Sequence, residues 1–159
     1  MPQGVGVGDQ APDFTLPSNS GEQIRLHDRI GENAVVLYFY PKDETAGCTR
    51  EACAFRDSYE AFTDLGAEVI GISSDSVERH VAFAGKHSLQ FTLLSDEGGK
   101  VRRLYGVPTT LMVLPGRVTY VIDRSGTVRH MFNSMMHFDG HVTEAMEAVR
   151  RLQNENQAA

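Results

Sequence analysis

The chain has 159 residues, long enough to bury a core without disulfide staples. Fifteen Lys and Arg against 21 Asp and Glu leave a net charge of −6, and three lysines with no basic run lack the electrostatic footprint of a nucleic-acid binder. The longest apolar run, Ala34 to Tyr40, falls far short of the ~20 residues a membrane helix needs. The opening residues have neither the basic nor the apolar region of a secretion signal, and two cysteines make no disulfide scaffold. The expectation is a protein of a reducing, cytoplasmic setting, without nucleic-acid or membrane partners.

In chain order, Phe14–Leu16 and Gln23–Leu26, split by Ser18-Asn-Ser-Gly21, predict a small N-terminal β-hairpin. Ala34 to Tyr40 is β-branched, aromatic and apolar throughout, and Pro41 stops it, as for a central strand buried on both faces. After Gly47, Ala52, Phe55, Tyr59 and Phe62 fall on one helical stripe, which Gly66 ends. Glu68 to Ser73 is a second buried strand. Asp75 with Glu78 resembles a capping box, opening a helix that carries Val77, Val81 and Ala84. Phe91 to Leu94 adds a short strand and Gly98 to Tyr105 a short helix. Val118–Ile122 and Val128–Phe132 flank a turn at 123–126. A last helix carries Val142, Ala145, Met146, Val149 and Leu152 on one face. With no repeat, linker or low-complexity stretch, residues 1–159 read as one α/β domain. From residue 34 the order is that of the thioredoxin fold, which implies a central mixed β-sheet with helices on both faces, plus the leading hairpin.

The chemistry concentrates in Tyr40-Pro-Lys-Asp-Glu-Thr-Ala-Gly-Cys-Thr-Arg-Glu-Ala-Cys53. Cys48 falls in the first turn of a helix that follows a buried strand. Unpaired N–H groups and the positive end of the helix dipole stabilise a thiolate there. A buried structural role accounts for many lone cysteines, but Cys53 lies about 140° around the helix from Cys48, beside Asp57 and Glu60, where the core does not explain it. Two cysteines five apart on one helix read as a redox pair. In an intact helix their Cα atoms stand roughly 8–9 Å apart, whereas a disulfide needs roughly 4.4–6.8 Å. Joining them requires the first turns to unwind.

Pro41-x-x-x-Thr45-x-x-Cys48 resembles the peroxiredoxin active-site motif. Cys53, the preceding Tyr38-Phe-Tyr-Pro-Lys, the following Ala54-Phe-Arg-Asp57, and segments 67–73, 91–96 and 114–123 are similar to the Q type of that family, the bacterioferritin comigratory proteins. The resemblance implies a thioredoxin-like fold and a thiol peroxidase acting on hydrogen peroxide and organic hydroperoxides. It implies Cys48 as the peroxidatic and Cys53 as the resolving cysteine, an intramolecular Cys48–Cys53 disulfide, and thioredoxin as reductant. Thr45, Arg117 and Pro41 complete the implied site. Thr45 and Arg117 would supply donors to the leaving oxygen, Arg117 would favour the thiolate, and Pro41 would shape and shield the loop. It implies no metal or other cofactor, and a monomer.

The rival readings are a thioredoxin-like disulfide reductase or redox carrier, which normally uses two residues between its cysteines rather than four, and a zinc or redox-sensing module. His137 and His141 stand four apart, but Gly140 argues against a helix spanning both, and they read as surface histidines rather than ligands. Gly4 to Gly8 lacks the preceding strand and following lysine of a phosphate loop.

Overall fold

The computed structural model describes residues 4–110 and 114–158. Thr15–Pro17 (β1) pairs antiparallel with Gln23–Arg25 (β2), which is the predicted leading hairpin, and the single turn Leu26–Arg29 (α1) follows. Ala34–Phe39 (β3) is buried at all six positions, as its unbroken apolar run requires. It lies at the middle of a five-stranded mixed sheet. On one side come Ala67–Ser73 (β4) and Thr92–Ser95 (β5), both parallel to the strand before. On the other, Val118–Ile122 (β8) and Val128–Asn133 (β9) form an antiparallel hairpin. The strand order is β5-β4-β3-β8-β9. Thr109–Thr110 (β6) and Leu114–Pro115 (β7) make a small separate ladder.

Alternation along β3 sorts the core into two halves. Val36, Tyr38 and Tyr40 pack with Cys48, Phe55 and Phe62, with Phe83, and with Ala145 and Val149. These come from four helices on one face: Ala46–Asp57 (α2), Tyr59–Asp64 (α3), Val77–His87 (α4) and Phe138–Ala158 (α6). Val35, Leu37 and Phe39 pack on the opposite face with Phe14, Leu26, Val101 and Tyr105, from the N-terminal hairpin, α1 and Lys100–Tyr105 (α5). Among the described residues no helix is long and apolar enough to cross a membrane.

Four local expectations need correction. The helix after Gly47 does not run unbroken to Gly66. It breaks at Ser58 (φ −101°, ψ 5°), whose N–H turns to the Ala54 and Phe55 carbonyls, and α3 restarts at Tyr59 with Phe55 and Phe62 still buried. The helix after β4 is capped by Ser76, whose hydroxyl accepts from the Arg79 N–H, because the Asp75 carboxylate is taken by the Asp43 N–H and the Ser73 hydroxyl. Its buried stripe is His80, Phe83 and Ala84, which leaves Val81 half exposed. Finally, His141 is fully buried rather than on the surface, while His137 stays outside α6 as Gly140 suggested.

Candidate active site

Thr45 caps the start of α2 with extended backbone but no side-chain cap, so Cys48 occupies the third helical position, where main-chain N–H groups lack helical partners. The residue is nonetheless only 1% exposed, packed in the core cluster with Ala52 and Phe55 of the same helix. The neighbour that gives this thiol a chemistry is Arg117, just ahead of β8. β3 and β8 pair so that Phe39, the last residue before the active-site loop, lies opposite Val118. That register brings Arg117 to the start of α2.

Arg117 is 4% exposed. Its Nη2 donates to Cys48 Sγ at 3.4 Å, its Nη1 to Glu51 Oε1 at 2.6 Å, and its Nε to the Met135 carbonyl at 3.0 Å. The Phe138 ring covers its flat face at 4.9 Å. Burial works against the charge, but Glu51 and Cys48 outweigh it and hold the guanidinium above its ordinary value. Gly47 is required by this packing, since a Cβ there would lie 2.6 Å from the Phe138 ring.

Glu51 is wholly buried, and burial pushes its carboxyl up to about 8 while Arg117 pulls the other way. Among the described residues its Oε2 has no hydrogen-bond partner, and it lies 3.6 Å from His141 Nδ1. His141 Nε2 donates to the Ser134 carbonyl at 2.7 Å, so its Nδ1 is the acceptor of the Thr119 hydroxyl at 2.8 Å. Burial, helped by Arg117 and His137, holds His141 down at about 4 against the pull of the Ser134 carbonyl.

The loop between β3 and α2 is anchored from below. Tyr40 donates to Asp43 Oδ1 at 2.5 Å, Asp43 Oδ2 meets His80 Nδ1 at 2.6 Å, and His80 Nε2 donates to the Leu94 carbonyl at 2.9 Å. The Asp43 N–H is held by Asp75, which Ser73 and Arg79 also satisfy. Asp43, Asp75 and His80 have the proximity of a metal triad, but their ligating atoms are already engaged in these bonds. Pro41 is half buried where β3 ends. Thr45 is exposed, and its hydroxyl proton goes to the Lys42 carbonyl at 2.9 Å. Toward a bound peroxide the resting hydroxyl can therefore accept rather than donate. Lys42, Thr45, Arg79 and Ala82 help to line a cavity of about 430 Å³ beside the loop. Cys53 is half buried in the same intact α2, and both thiols are free.

The structure thus brings Cys48 and Arg117 together and sets Pro41 and Thr45 on the loop that leads into α2. It adds Glu51, Phe138, His141 and the Asp43–His80 anchor, none of which the sequence reading assigned. Glu51 had a visible signal: a charged residue three after Cys48 and four before Phe55 sits on the buried stripe.

A buried thiol at a helix N-terminus, under a fixed guanidinium on a thioredoxin-like sheet, defines the class of thiol-dependent peroxidases. Comparison with known proteins agrees. Residues 7–131 match the AhpC/TSA family. Over 149 residues the chain is 50% identical to "Peroxiredoxin Q, chloroplastic" of Triticum aestivum, covering 93% of this chain and 68% of that one. Among solved structures it is similar to peroxidoxin BcpB of Mycobacterium tuberculosis, with TM-score 0.87 and 36% identity over 93% of this chain and 98% of that one. It is also similar to the bacterioferritin comigratory protein of Xanthomonas campestris, described for its alkyl peroxide reduction activity, with TM-score 0.81 and 30% identity over 88% and 92% of the two chains. The chain belongs to the AhpC/TSA family, among the Q-type peroxiredoxins, and is a thiol-dependent peroxidase. The expected cytoplasmic setting is overturned as a reading of the sequence: the first curated relatives that the chain matches are named chloroplastic. An acidic chain with two cysteines suits any reducing compartment, so composition could not separate them.

Proposed function

We propose that Cys48 is the peroxidatic cysteine and Cys53 the resolving cysteine of a single peroxiredoxin domain over residues 1–159, active as a monomer. The observation that carries this reading is the 3.4 Å contact of Arg117 Nη2 with Cys48 Sγ at the unpaired start of α2. The Cys48 thiolate attacks the outer peroxide oxygen, becoming a sulfenic acid and expelling hydroxide or alkoxide. Arg117 and the free N–H groups of the first helical turn face the developing oxyanion. Thr45 accepts the peroxide hydrogen and aligns the O–O bond, while Pro41 limits water at the loop. Hydrogen peroxide and organic hydroperoxides are the substrates; the activity described for the Xanthomonas campestris relative supports the second class.

The sulfenic acid then condenses with Cys53 and releases water. Both cysteines lie in one continuous helix, with Cα atoms about 8–9 Å apart by helix geometry, too far for a disulfide. The start of α2 therefore unwinds before the bond closes, and the loosened segment presents the disulfide to a reducing dithiol protein, thioredoxin or one like it. Amide hydrogen exchange between residues 48 and 53 is expected to be faster in the oxidised form; equal protection in both forms, with the disulfide confirmed by mass, contradicts the unwinding. Peroxide-dependent NADPH consumption through thioredoxin and its reductase tests the function as a whole. Cys48→Ser is expected to abolish it, because an unperturbed hydroxyl is not a nucleophile at neutral pH.

A further inference from the structure

Cys48, Glu51 and Arg117 form a closed charge set. Their exposures are 1%, 0% and 4%, and the single guanidinium donates one nitrogen to the sulfur and another to the carboxyl. One permanent cation therefore faces two groups that each become anionic on losing a proton.

Among the described residues the surroundings add no second cation. From α6, His141 stands 3.6 Å from Glu51 Oε2, neutral, with Nδ1 occupied by the Thr119 hydroxyl from β8. From β3, Tyr38 is a fully buried phenol that burial, Glu51 and Cys48 all keep protonated. His137 and Asp43 act only from farther off, on His141 and Tyr38 respectively. The exposed Arg50 is engaged with Asp139. With Cys48 and Glu51 both ionised, the buried set would carry an unbalanced negative charge, the costliest arrangement of a low-dielectric site.

A second, independent feature points the same way. Glu51 Oε2 is buried and, among the described residues, has no hydrogen-bond partner. An ionised carboxylate would leave a charged oxygen bare, whereas a protonated carboxyl leaves only a neutral hydroxyl there. The Arg117 contact is kept in both cases, because Nη1 donates to Oε1 whether or not Oε2 carries a proton.

We propose that Cys48 and Glu51 share one proton, so that the thiolate forms together with protonated Glu51, and that this proton balances the leaving oxygen when the thiolate is consumed. The inference rests on Cys48 being the peroxidatic cysteine. The O–O bond breaks and an S–O bond forms, the sulfur is oxidised by two electrons, and the leaving oxygen takes the bond pair. In net terms, thiolate plus ROOH plus the Glu51 carboxylic acid gives sulfenic acid plus ROH plus the Glu51 carboxylate. After oxidation Arg117 pairs with Glu51 as its only anion. Glu51 acts through Arg117 and the shared charge, not by touching substrate, and so is a positioning residue and proton store.

Counting protons tests this directly. Reduced protein, weakly buffered near neutrality with an indicator dye, receives one equivalent of hydrogen peroxide, and proton uptake is divided by disulfide formed. The parent is expected to take essentially no proton from solution, while Glu51→Gln, which keeps the shape but cannot ionise, takes up one per disulfide. Uptake of one proton by the parent, or of none by both proteins, overturns the proposal. Failure to form disulfide while peroxide persists speaks instead against Cys48 as nucleophile. Should Glu51→Gln not fold, infrared spectroscopy of the parent decides. At a pH where thiolate absorbance is present, a protonated-carboxyl band must vanish on oxidation and be missing from reduced Cys48→Ser. A band that survives oxidation refutes the shared proton.

Discussion

Two buried polar networks flank the loop that leads into α2, and they are built to opposite ends. On one side, Tyr40, Asp43, His80, Asp75 and Ser73 close on one another and on the Leu94 carbonyl, with every side-chain hydrogen-bonding atom engaged. On the other, Arg117 joins the Cys48 sulfur to Glu51, His141 stands beside Glu51, and among the described residues Glu51 Oε2 has no hydrogen-bond partner. A fully satisfied network rigidifies what it holds, whereas a buried polar atom left unpaired is costly, most of all when charged. The first network fixes the loop carrying Pro41 and Thr45. The second holds the Cys48 sulfur and the Glu51 carboxyl against a single guanidinium.

The comparison breaks most severely at Arg117. Arg117→Ala removes the donor at the sulfur and leaves Glu51 without its cation, and peroxide reduction is expected to slow about 10²–10³-fold in stopped-flow measurements, as for loss of an oxyanion donor. Arg117→Lys keeps a charge but not the fork that reaches both partners, and is expected to recover only part of that loss. On the other side, Asp43→Asn leaves Tyr40 and His80 with a poorer acceptor. Its main effect is expected on stability, about 1–3 kcal/mol by denaturant titration, with a smaller effect on rate. A rate loss as large as that of Arg117→Ala, at unchanged stability, would erase the division between the two networks.

A further expected effect concerns pH and has a definite sign. His141 is held at about 4 in the fold, below its ordinary 6.5, so the stability it contributes is full above 6.5 and lost as pH falls toward 4. Glu51 is held at about 8, above its ordinary 4.5, so its contribution is full below 4.5 and lost as pH rises toward 8. Between 4.5 and 6.5 the two slopes oppose, and the parent's stability is expected to vary little. In His141→Asn the acid-side loss, up to about 3 kcal/mol from a shift of this size, disappears and the Glu51 slope stands alone. Parallel stability curves for parent and variant across that window contradict this assignment of His141.

The sequence made one side of this picture far easier to read than the other. The apolar run before Pro41, the Thr45-x-x-Cys48 spacing and the second cysteine sit within twenty residues of one another, so strand, helix start and redox pair were all local signals. Asp43 and His80 are 37 residues apart and meet only because β4 runs parallel to β3 and returns α4 over the loop. Asp75 looked like a cap because its spacing to Glu78 fits one, yet a buried N–H at Asp43 claimed its carboxylate and Ser76 took over the capping. His141 was judged against His137, its neighbour in sequence, when its partners are Thr119, Ser134 and Glu51. Buried polar residues are chosen by their tertiary partners, which periodicity does not reveal.

In the proposed reaction the Cys48 sulfur, under Arg117, is the atom that meets peroxide. It is tested most directly by giving the reduced protein one equivalent of hydrogen peroxide and reading the masses of the peptides that contain Cys48 and Cys53. The expected result is a Cys48–Cys53 disulfide in the parent, a single added oxygen on Cys48 in Cys53→Ser, and no peroxide consumption by Cys48→Ser. Oxygen added to Cys53 in Cys48→Ser, with peroxide consumed as fast as by the parent, would contradict it.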